Sequence, residues 1–427
     1  MTTHYQTETI FTWGAPPIRF GIGAADELGD DLIGLGAERV LLVTDPGVAA
    51  TGVVDRLGHA IGDRGIKVEL YADVHVEPTD RSLEDAAEAA RSLSWDAIVA
   101  VGGGSSIDTA KAINLLTTQP GSLMDYVNRP IGQGRAPTNP LKPLIAVPTT
   151  AGTGSESTPV CVLDILSLRV KTGISHPRLR PTLAVVDPLL TLTAPPAVTA
   201  ATGLDVVCHA LESYTARPYT AYARRSPAER VAYCGANPVS DLWAERALAL
   251  IARSLRRAVH QGMNLEARSD MALAASFAGM GFGNAGVHIP HACAYPIAGM
   301  VRTYHPEDYP GGEPMVPHGQ SVAVTAPAAF RFTYPANPER HTRAARILDP
   351  DVADSVPPEE ALPTALRRLM DDIGAPRSLH VLGYNADDIP DLVEGTLKQQ
   401  RLLTIAPRTP GAADLAAIFE ASLTAEA

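Results

Sequence analysis

The 427-residue chain is long for a single hydrophobic core, so two domains are expected. Hydrophobic residues make up 45% of it and charged residues 19%, which is typical of a globular protein and excludes a disordered one. A formal net charge of -12 and the lack of any run of about 18 uncharged apolar residues predict neither a nucleic-acid partner nor a membrane span.

The first ten residues lack a basic segment followed by an apolar run, and they lack the Arg-rich character of an organelle presequence. We therefore predict a cytoplasmic protein. The cysteines are far apart in the chain and form no Cys-x-x-Cys pair, which is typical of a reducing compartment.

The first half of the chain alternates short apolar runs with helical patterns. The candidate strands are 40–43, 68–71, 97–101, 144–147 and 183–186. Helical patterns lie near 80–93, with Thr79 as N-cap, and near 105–118. This alternation predicts βαβ units around a mostly parallel sheet, so we assign residues 1–190 to an α/β dinucleotide-binding domain.

The pattern beyond Pro188 is helical. The candidate helices are 202–216, 241–260, 264–281, 319–333, 338–348, 358–373 and 411–424. We therefore assign residues 191–427 to an all-α metal-binding and catalytic domain, whose apolar character favours a homo-oligomer. Two long irregular stretches, 217–240 and 301–317, are rich in Pro, Tyr and Gly, and loops of that length are commonly functional.

Gly102, Gly103 and Gly104 follow an apolar strand and precede a helical pattern. Glycine lets the backbone approach an anion, and the N–H groups at a helix start favour negative charge. A tight turn joining strand to helix is the structural alternative. A second turn of small polar residues, 148–156, also follows an apolar strand. Two such turns are typical of the dinucleotide crevice in doubly wound folds.

Asp45 ends the first long candidate strand, just before Pro46. A carboxylate at that place can accept hydrogen bonds from both ribose hydroxyls and would repel a 2′-phosphate, which favours NAD over NADP. The alternative is an Asx turn that only shapes the backbone.

Asp205 and His209 stand four residues apart in an apolar helical pattern. Such a pair commonly forms a hydrogen bond on the protein surface. In an apolar helix both side chains are expected to be buried, and burial is costly unless a partner binds them. His288, His291 and His318 supply further imidazoles near helix starts, and the spacing alone does not choose between His288 and His291. One carboxylate and three imidazoles suit Fe²⁺ or Zn²⁺. The alternative is a thiolate ligand from the neighbouring Cys208 or Cys293.

Four motifs together resemble the iron-containing alcohol dehydrogenase family. They are Gly-Gly-Gly-Ser-x-x-Asp-x-x-Lys at 102–111, Pro-Thr-Thr-x-Gly-Thr-Gly-Ser-Glu at 148–156, Asp205-x-x-x-His209-Ala-x-Glu212 and Pro317-His318-Gly319. The resemblance implies an architecture similar to that of dehydroquinate synthase, with a cleft that holds the metal at its base.

The resemblance also implies particular residues. The metal ligands would be Asp205, His209, His291 and His318. The contacts to NAD would be Asp45, Gly103, Gly104, Ser105, Asp108, Thr149, Thr150, Thr153 and Ser155. Many relatives carry a histidine where this chain has Tyr295, so Tyr295 or a water would have to transfer the proton.

Within the family, the segments 235–241, 281–288 and Asp308-Tyr309 resemble the hydroxyacid-oxoacid transhydrogenase branch. That branch implies hydride transfer from a 4-hydroxybutyrate-like hydroxyacid to a 2-oxoglutarate-like oxoacid through retained NAD. Such substrates need a cationic anchor, for which the candidates are Arg224, Arg225, Arg230 and Arg302.

Two other functions are the alternatives to a transhydrogenase. One is an NAD-dependent dehydrogenase of small alcohols that exchanges its cofactor at every turnover. The other is a lyase similar to dehydroquinate synthase, which would need a basic phosphate pocket that the sequence does not suggest.

Overall fold

The computed structural model describes residues 6–168, 170–307 and 314–424. The chain divides into two compact units, one formed by residues 15–194 and the other by residues up to 14 together with those from 195 onward. The functions assigned above to residues 1–190 and 191–427 stay a prediction. Asp308 and Tyr309, which contributed to the family resemblance, lie outside the described residues.

A parallel sheet organises the unit of residues 15–194. The strands are β1 (Ile18–Phe20), β2 (Arg39–Val43), β3 (Lys67–Tyr71), β4 (Ala97–Gly102), β5 (Leu144–Pro148), β6 (Val160–Ile165), β7 (Val170–Ser175) and β8 (Leu183–Val186). Six of them form one sheet in the order β1-β8-β5-β4-β2-β3, with every described pair parallel, and β6 pairs with β7 in an antiparallel hairpin. The predicted parallel sheet is confirmed.

The sequence patterns missed three strands. β1 has only three residues, too few for a periodic pattern to show. Strand β6 opens with the short apolar run 160–163, which the sequence analysis did not assign to a strand, and neither β6 nor β7 shows strictly alternating burial. These strands are held by their pairing partners, which a local pattern does not reveal.

The inner strands β2, β4 and β5 are apolar on both faces, as expected of a parallel sheet covered by helices. Val40 and Leu42 of β2 lie in one buried cluster, whereas Leu41 and Val43 lie in another. Successive side chains of a strand point to opposite faces, so the two clusters cover the two sides of the sheet. Strand β4 is buried along its whole length, and the glycine turn follows it directly.

Six α-helices accompany these strands in the described residues of this unit. They are α1 (Leu28–Gly34), α2 (Pro46–Ala49), α3 (Val53–Gly62), α4 (Asp80–Arg91), α5 (Gly104–Thr118) and α6 (Leu123–Tyr126). The Thr79 side chain accepts a hydrogen bond from the Ser82 backbone N–H, and the Ser82 side chain accepts one from the Thr79 backbone N–H. The predicted N-cap of α4 is therefore confirmed, and it forms a capping box.

The second unit has helices and no β-strand among its described residues, apart from isolated β-bridges. Its helices are α7 (Pro196–Thr215), α8 (Pro238–His260), α9 (Leu265–Ala285), α10 (Ile289–Gly299), α11 (His318–Ala323), α12 (Ala326–Thr333), α13 (Pro338–Leu348), α14 (Pro350–Ala353), α15 (Pro358–Asp372), α16 (Ile389–Leu397), α17 (Gln400–Leu403) and α18 (Ala412–Ala421). Among the described residues, no helix combines the length and apolar character that crossing a bilayer requires.

The prediction of one helix over 319–333 is wrong, because the chain breaks into α11 and α12 at Val324 and Thr325. Pro327 lies in the first turn of α12 and has no N–H to continue the hydrogen bonding of α11. The break leaves α11 as a short separate helix whose first residue is His318.

Candidate metal centre and glycine-rich turns

Helix α7 carries Asp205 and His209 on one face, because residues four apart in a helix point the same way. Both are buried, at 2% and 4% exposure. The alternative of a surface hydrogen bond is therefore wrong for this pair. Neighbours such as Val206 and Val207 are fully buried too, so the helix places a carboxylate and an imidazole inside an apolar environment.

Three imidazoles converge on one oxygen of Asp205. The Nε2 atoms of His291, His209 and His318 lie 3.4, 3.6 and 3.8 Å from Asp205 Oδ1. The ligand atoms of Asp205, His209 and His291 all lie within 4.8 Å of one another. His318 stands on the more open side, where its side chain is 24% exposed. The structure thus brings together the four side chains that the sequence predicted as ligands.

A close helix contact positions His318. A Cβ atom on the next residue, Gly319, would lie 1.8 Å from the carbonyl oxygen of Ala201 in α7. Only glycine allows the start of α11 to approach α7 so closely. The Pro317-His318-Gly319 motif is therefore explained by packing as well as by the imidazole.

The donor set suits a divalent cation. Asp205 Oδ1 and His291 Nε2 are buried, and neither has a hydrogen-bond partner among the described residues. Four ligands arranged tetrahedrally at about 2.1 Å from an ion lie about 3.4 Å apart, close to the 3.4 Å that separates these two atoms. Buried polar atoms without partners are costly, and a shared cation would satisfy both.

The cluster shifts the ionisation of its members. Burial opposes the charged form of Asp205, but the imidazoles of His209, His318 and His291 outweigh it and hold the Asp205 pKa far below its usual range. Burial is the main cause that lowers the pKa of His209 to about 3. The site therefore favours an ionised carboxylate beside a neutral His209, the forms in which both bind metals.

Glu212 is part of the Asp-x-x-x-His-Ala-x-Glu motif, but the sequence analysis assigned it no role. It is completely buried one turn beyond His209 on α7. Its Oε1 atom lies 2.6 Å from His291 Nδ1, and its Oε2 atom accepts the backbone N–H of His288. The available signal was a glutamate three residues after His209 in an otherwise apolar helix.

The structure separates His291 from its rival His288. The His288 ring contacts Thr215 Oγ1 through Nε2 at 3.1 Å and packs against Phe330, and among the described residues it does not join the candidate metal-binding group. Tyr295 is nearly buried, with its ring centroid 6.4 Å from that of His318.

The neighbouring thiols do not resemble ligands. Burial raises the pKa of Cys293 to about 12 and that of Cys208 well above its usual range, so both favour the neutral thiol. In the part of the chain that the structure describes, neither joins the group of candidate metal-binding side chains. The thiolate alternative is therefore unsupported.

The two turns predicted to bind the cofactor lie side by side. The Thr149 N–H donates to the Gly102 carbonyl, which continues the pairing of β5 with β4. A Cβ on Gly104 would lie 2.7 Å from the Thr153 side chain, and one on Gly103 would lie 3.4 Å from Thr150 Oγ1. Glycine at 104 thus lets the start of α5 pack against the second turn.

Asp45 forms the turn that the sequence offered as its alternative role. Its Oδ1 atom accepts the Val48 backbone N–H at 2.9 Å, and its Oδ2 atom accepts the Ser106 hydroxyl at 3.1 Å. Ser105 is also engaged, because its hydroxyl accepts the Glu77 N–H at 3.1 Å. A ribose contact by either residue stays a prediction.

Asp108 and Ser155 belong to a buried network around Lys111. Lys111 Nζ lies 3.2 Å from Asp108 Oδ1 and 2.8 Å from both the hydroxyl and the carbonyl oxygen of Ser155. Asp108 also accepts the Val162 N–H at 2.9 Å and the Ser155 hydroxyl. These bonds tie α5 to the second turn and to β6, which gives both residues a structural role.

Known proteins similar to this chain carry oxidoreductase names. This chain is 48% identical over 422 residues to "Hydroxyacid-oxoacid transhydrogenase, mitochondrial" of Rattus norvegicus, and the match covers 98% of this chain and 90% of the relative. The Mus musculus relative of the same name is 49% identical over 418 residues, covering 97% and 90%.

The fold also matches solved structures. A 1,3-propanediol oxidoreductase superposes with a TM-score of 0.84 and 35% identity, covering 97% of this chain and 100% of that one. A sulfoacetaldehyde reductase from Bifidobacterium kashiwanohense, solved in complex with NAD⁺, gives 0.82 and 28%, covering 98% and 100%.

The predicted cytoplasmic location is wrong, because the two relatives above are named as mitochondrial proteins. The prediction depended on the composition of residues 1–10.

Two family models match the chain over most of its length. The one described as "Iron-containing alcohol dehydrogenase" covers residues 15–188, and the one described as "Fe-containing alcohol dehydrogenase family, C-terminal" covers 227–423. Together with the identity to the transhydrogenases, they establish an oxidoreductase. The chain belongs to the iron-containing alcohol dehydrogenase family.

Proposed function

We propose that this protein transfers hydride from a 4-hydroxybutyrate-like hydroxyacid to a 2-oxoglutarate-like oxoacid through NAD that stays bound between the two half-reactions. The observation that carries the proposal is the convergence of three buried ligand groups, Asp205, His209 and His291, in a chain 48% identical to a hydroxyacid-oxoacid transhydrogenase. A buried set of this kind is costly to maintain without a use.

The metal in this proposal is Fe²⁺ or Zn²⁺, held by Asp205, His209, His291 and His318. When bound, it supplies a Lewis acid for the substrate oxygen. The protein contributes a dry environment, since Asp205, His209 and His291 are each at most 4% exposed. Tyr295, whose ring stacks beside His318, is the proposed side chain for proton transfer, either directly or through a water.

The NAD in this proposal is held by the two turns after β4 and β5. Gly103 and Gly104 keep the start of α5 free of side chains, so its backbone N–H groups can approach a pyrophosphate. Thr149, Thr150 and Thr153 supply hydroxyls on the neighbouring turn. The NAD⁺ complex of the similar sulfoacetaldehyde reductase supports this choice of cofactor.

Arg225 is the proposed anchor for the substrate carboxylate. Of the four candidate arginines, Arg224 and Arg230 pair with Glu8, and Arg302 forms a bidentate pair with Asp388. The Arg225 backbone N–H donates to Glu8 at 3.2 Å, but within the described residues no carboxylate lies within ion-pair distance of its guanidinium, which stacks over the Tyr222 ring at 5.0 Å.

The test is a turnover assay without free cofactor. Purified protein, gel-filtered to remove loose nucleotide, is mixed with 4-hydroxybutyrate and 2-oxoglutarate, and 2-hydroxyglutarate is measured. The proposal expects product without added NAD, and none from an Asp205→Ala control. Activity that appears only with free NAD would instead indicate a dehydrogenase that exchanges its cofactor. A homo-oligomer stays a prediction, to be measured in the same preparation by light scattering.

A further inference from the structure

One carboxylate connects the two helices that carry the buried candidate ligands. Glu212 stands on α7, seven residues after Asp205 and three after His209, so all three share a face of that helix. From there its two oxygens reach α10, one to the ring of His291 and the other to the backbone N–H of His288, the residue that precedes α10. Glu212 thus holds both a side chain and the start of the helix that bears it.

Hydrogen-bond chemistry determines which atoms carry the protons in this arrangement. The His288 backbone N–H can only donate, and it uses Glu212 Oε2. The carboxylate has no proton to offer, so the 2.6 Å contact at Oε1 requires a proton on His291 Nδ1. The lone pair of the neutral ring is then on Nε2, the atom that lies 3.4 Å from Asp205 Oδ1.

We infer that Glu212 is a positioning residue that selects the metal-binding tautomer of His291 and fixes α10 against α7. The inference rests on the proposed function, because it concerns the same metal site. Carboxylates behind a ligating histidine orient the ring and raise its basicity, and their loss costs about 10- to 100-fold in metal affinity.

Glu212→Gln separates this role from simple packing, because an amide cannot accept at both ends. If its oxygen keeps the His288 N–H, its NH₂ group faces His291 Nδ1 and forces the ring proton onto Nε2, which cannot then bind a metal. If the amide is reversed, its NH₂ group meets the His288 N–H, and two buried donors face each other. Either orientation disturbs the site although the size is unchanged.

Thr215→Val is the matched control. Thr215 lies one turn beyond Glu212 on the same buried face of α7, and its hydroxyl contacts His288 Nε2 at 3.1 Å. The replacement removes a buried hydrogen bond to the same segment without touching His291. A loss caused only by packing would therefore appear in both variants.

The experiment measures Co²⁺ and Zn²⁺ affinity of metal-free protein by competition with a chelator, together with the Co²⁺ visible spectrum and the melting temperature. Glu212→Gln is expected to weaken both affinities by about 10- to 100-fold and to change the Co²⁺ spectrum. Thr215→Val is expected to bind both metals with affinities within about threefold of wild type, even if its melting temperature falls as far as that of Glu212→Gln.

A second measurement uses only the wild type, so it does not depend on the folding of a variant. In zinc-loaded protein with ¹⁵N-labelled histidine, His291 is expected to show a proton on Nδ1. Equal metal affinity in Glu212→Gln and wild type would overturn the inference while leaving the proposed function intact. A proton on Nε2 would overturn the inference and would also contradict the proposed binding of metal through that atom of His291. A wild type that binds neither Co²⁺ nor Zn²⁺ would instead contradict the proposed metal site.

Discussion

Lys111 Nζ lies 3.2 Å from Asp108 Oδ1, and both side chains are buried in α5, the helix that follows the glycine turn. The lysine is 1% exposed and also donates to the carbonyl of Val160 at 2.6 Å. The Asp and Lys of the Gly-Gly-Gly-Ser-x-x-Asp-x-x-Lys motif therefore hold together the segments that form the predicted cofactor site.

Replacing Lys111 with Met should destabilise the protein by about 3–5 kcal/mol, because it leaves the Asp108 carboxylate buried without its partner charge. Urea denaturation gives the free energy of unfolding. The control is Lys398→Met, which breaks the exposed pair with Glu394 and should cost less than about 1 kcal/mol. Equal small losses in both variants would contradict a structural role for Lys111.

Asp45→Ala tests whether this carboxylate also contacts ribose. Loss of the cap to Val48 should cost about 1 kcal/mol of stability in either case. If Asp45 also repels a 2′-phosphate, the preference for NADH over NADPH should fall by about tenfold, equivalent to about 1.4 kcal/mol. Dissociation constants of both cofactors check this. An unchanged ratio with a lowered melting temperature would leave Asp45 with the turn alone.

Removal of a proposed ligand should remove the metal. Elemental analysis is expected to find Fe²⁺ or Zn²⁺ in the purified wild type and to find neither in Asp205→Ala and His209→Ala. His288→Gln, an equally buried histidine outside the cluster, should keep it. A chelator should destabilise only metal-containing protein, by about 2.7 kcal/mol where free metal had been 100-fold above its dissociation constant. Metal retained by Asp205→Ala would refute the assignment.

Gly319→Ala should be strongly destabilising, because its Cβ would lie 1.8 Å from the Ala201 carbonyl oxygen. Relief of the clash requires α11 to move away from α7 with His318, at a cost of about 1–3 kcal/mol or more. Gly299→Ala is the control, since a Cβ there meets nothing within 4 Å. Thermal denaturation and bound metal are measured in both, and full metal content in Gly319→Ala would contradict this account.

The stability of the protein should fall as the medium becomes acidic, in part because of His341. Burial lowers the pKa of His341 to about 4 from its usual 6.5, while its ring contacts Thr333 and the Asn337 carbonyl. As pH falls below 6.5 the unfolded chain binds a proton that the folded one refuses. The stabilising contribution is complete above pH 6.5 and is lost as pH falls toward 4. The loss at pH 5 is about 2 kcal/mol of unfolding free energy.

The check for His341 compares unfolding free energies at pH 7.5 and pH 5 in wild type and His341→Gln. The glutamine variant does not titrate at this position, so it should lose about 2 kcal/mol less than wild type over the same interval. Parallel losses in the two proteins would assign the acid sensitivity to other groups.

The sequence predicted the architecture well where local patterns are strong. Strands β2, β4, β5 and β8 were found from their apolar runs and β3 from a mixed run, whereas β1 and the β6–β7 hairpin were missed. The break between α11 and α12 was also missed, although Pro327 was visible as its cause. The compartment was predicted wrongly, since folding chemistry does not encode it.

The sequence by itself determined that Asp205 and His209 share a helix face, because a four-residue spacing is a local property of the α-helix. The spacing of residues in the sequence did not decide whether His288 or His291 is the ligand, and only the family resemblance implied His291. Tertiary structure placed His291 beside Asp205 and paired it with Glu212, 79 residues away. It also brought Asp45 and Ser106, which are 61 residues apart, into a hydrogen bond. Distances between such remote segments follow from packing of the whole unit, which no local pattern contains.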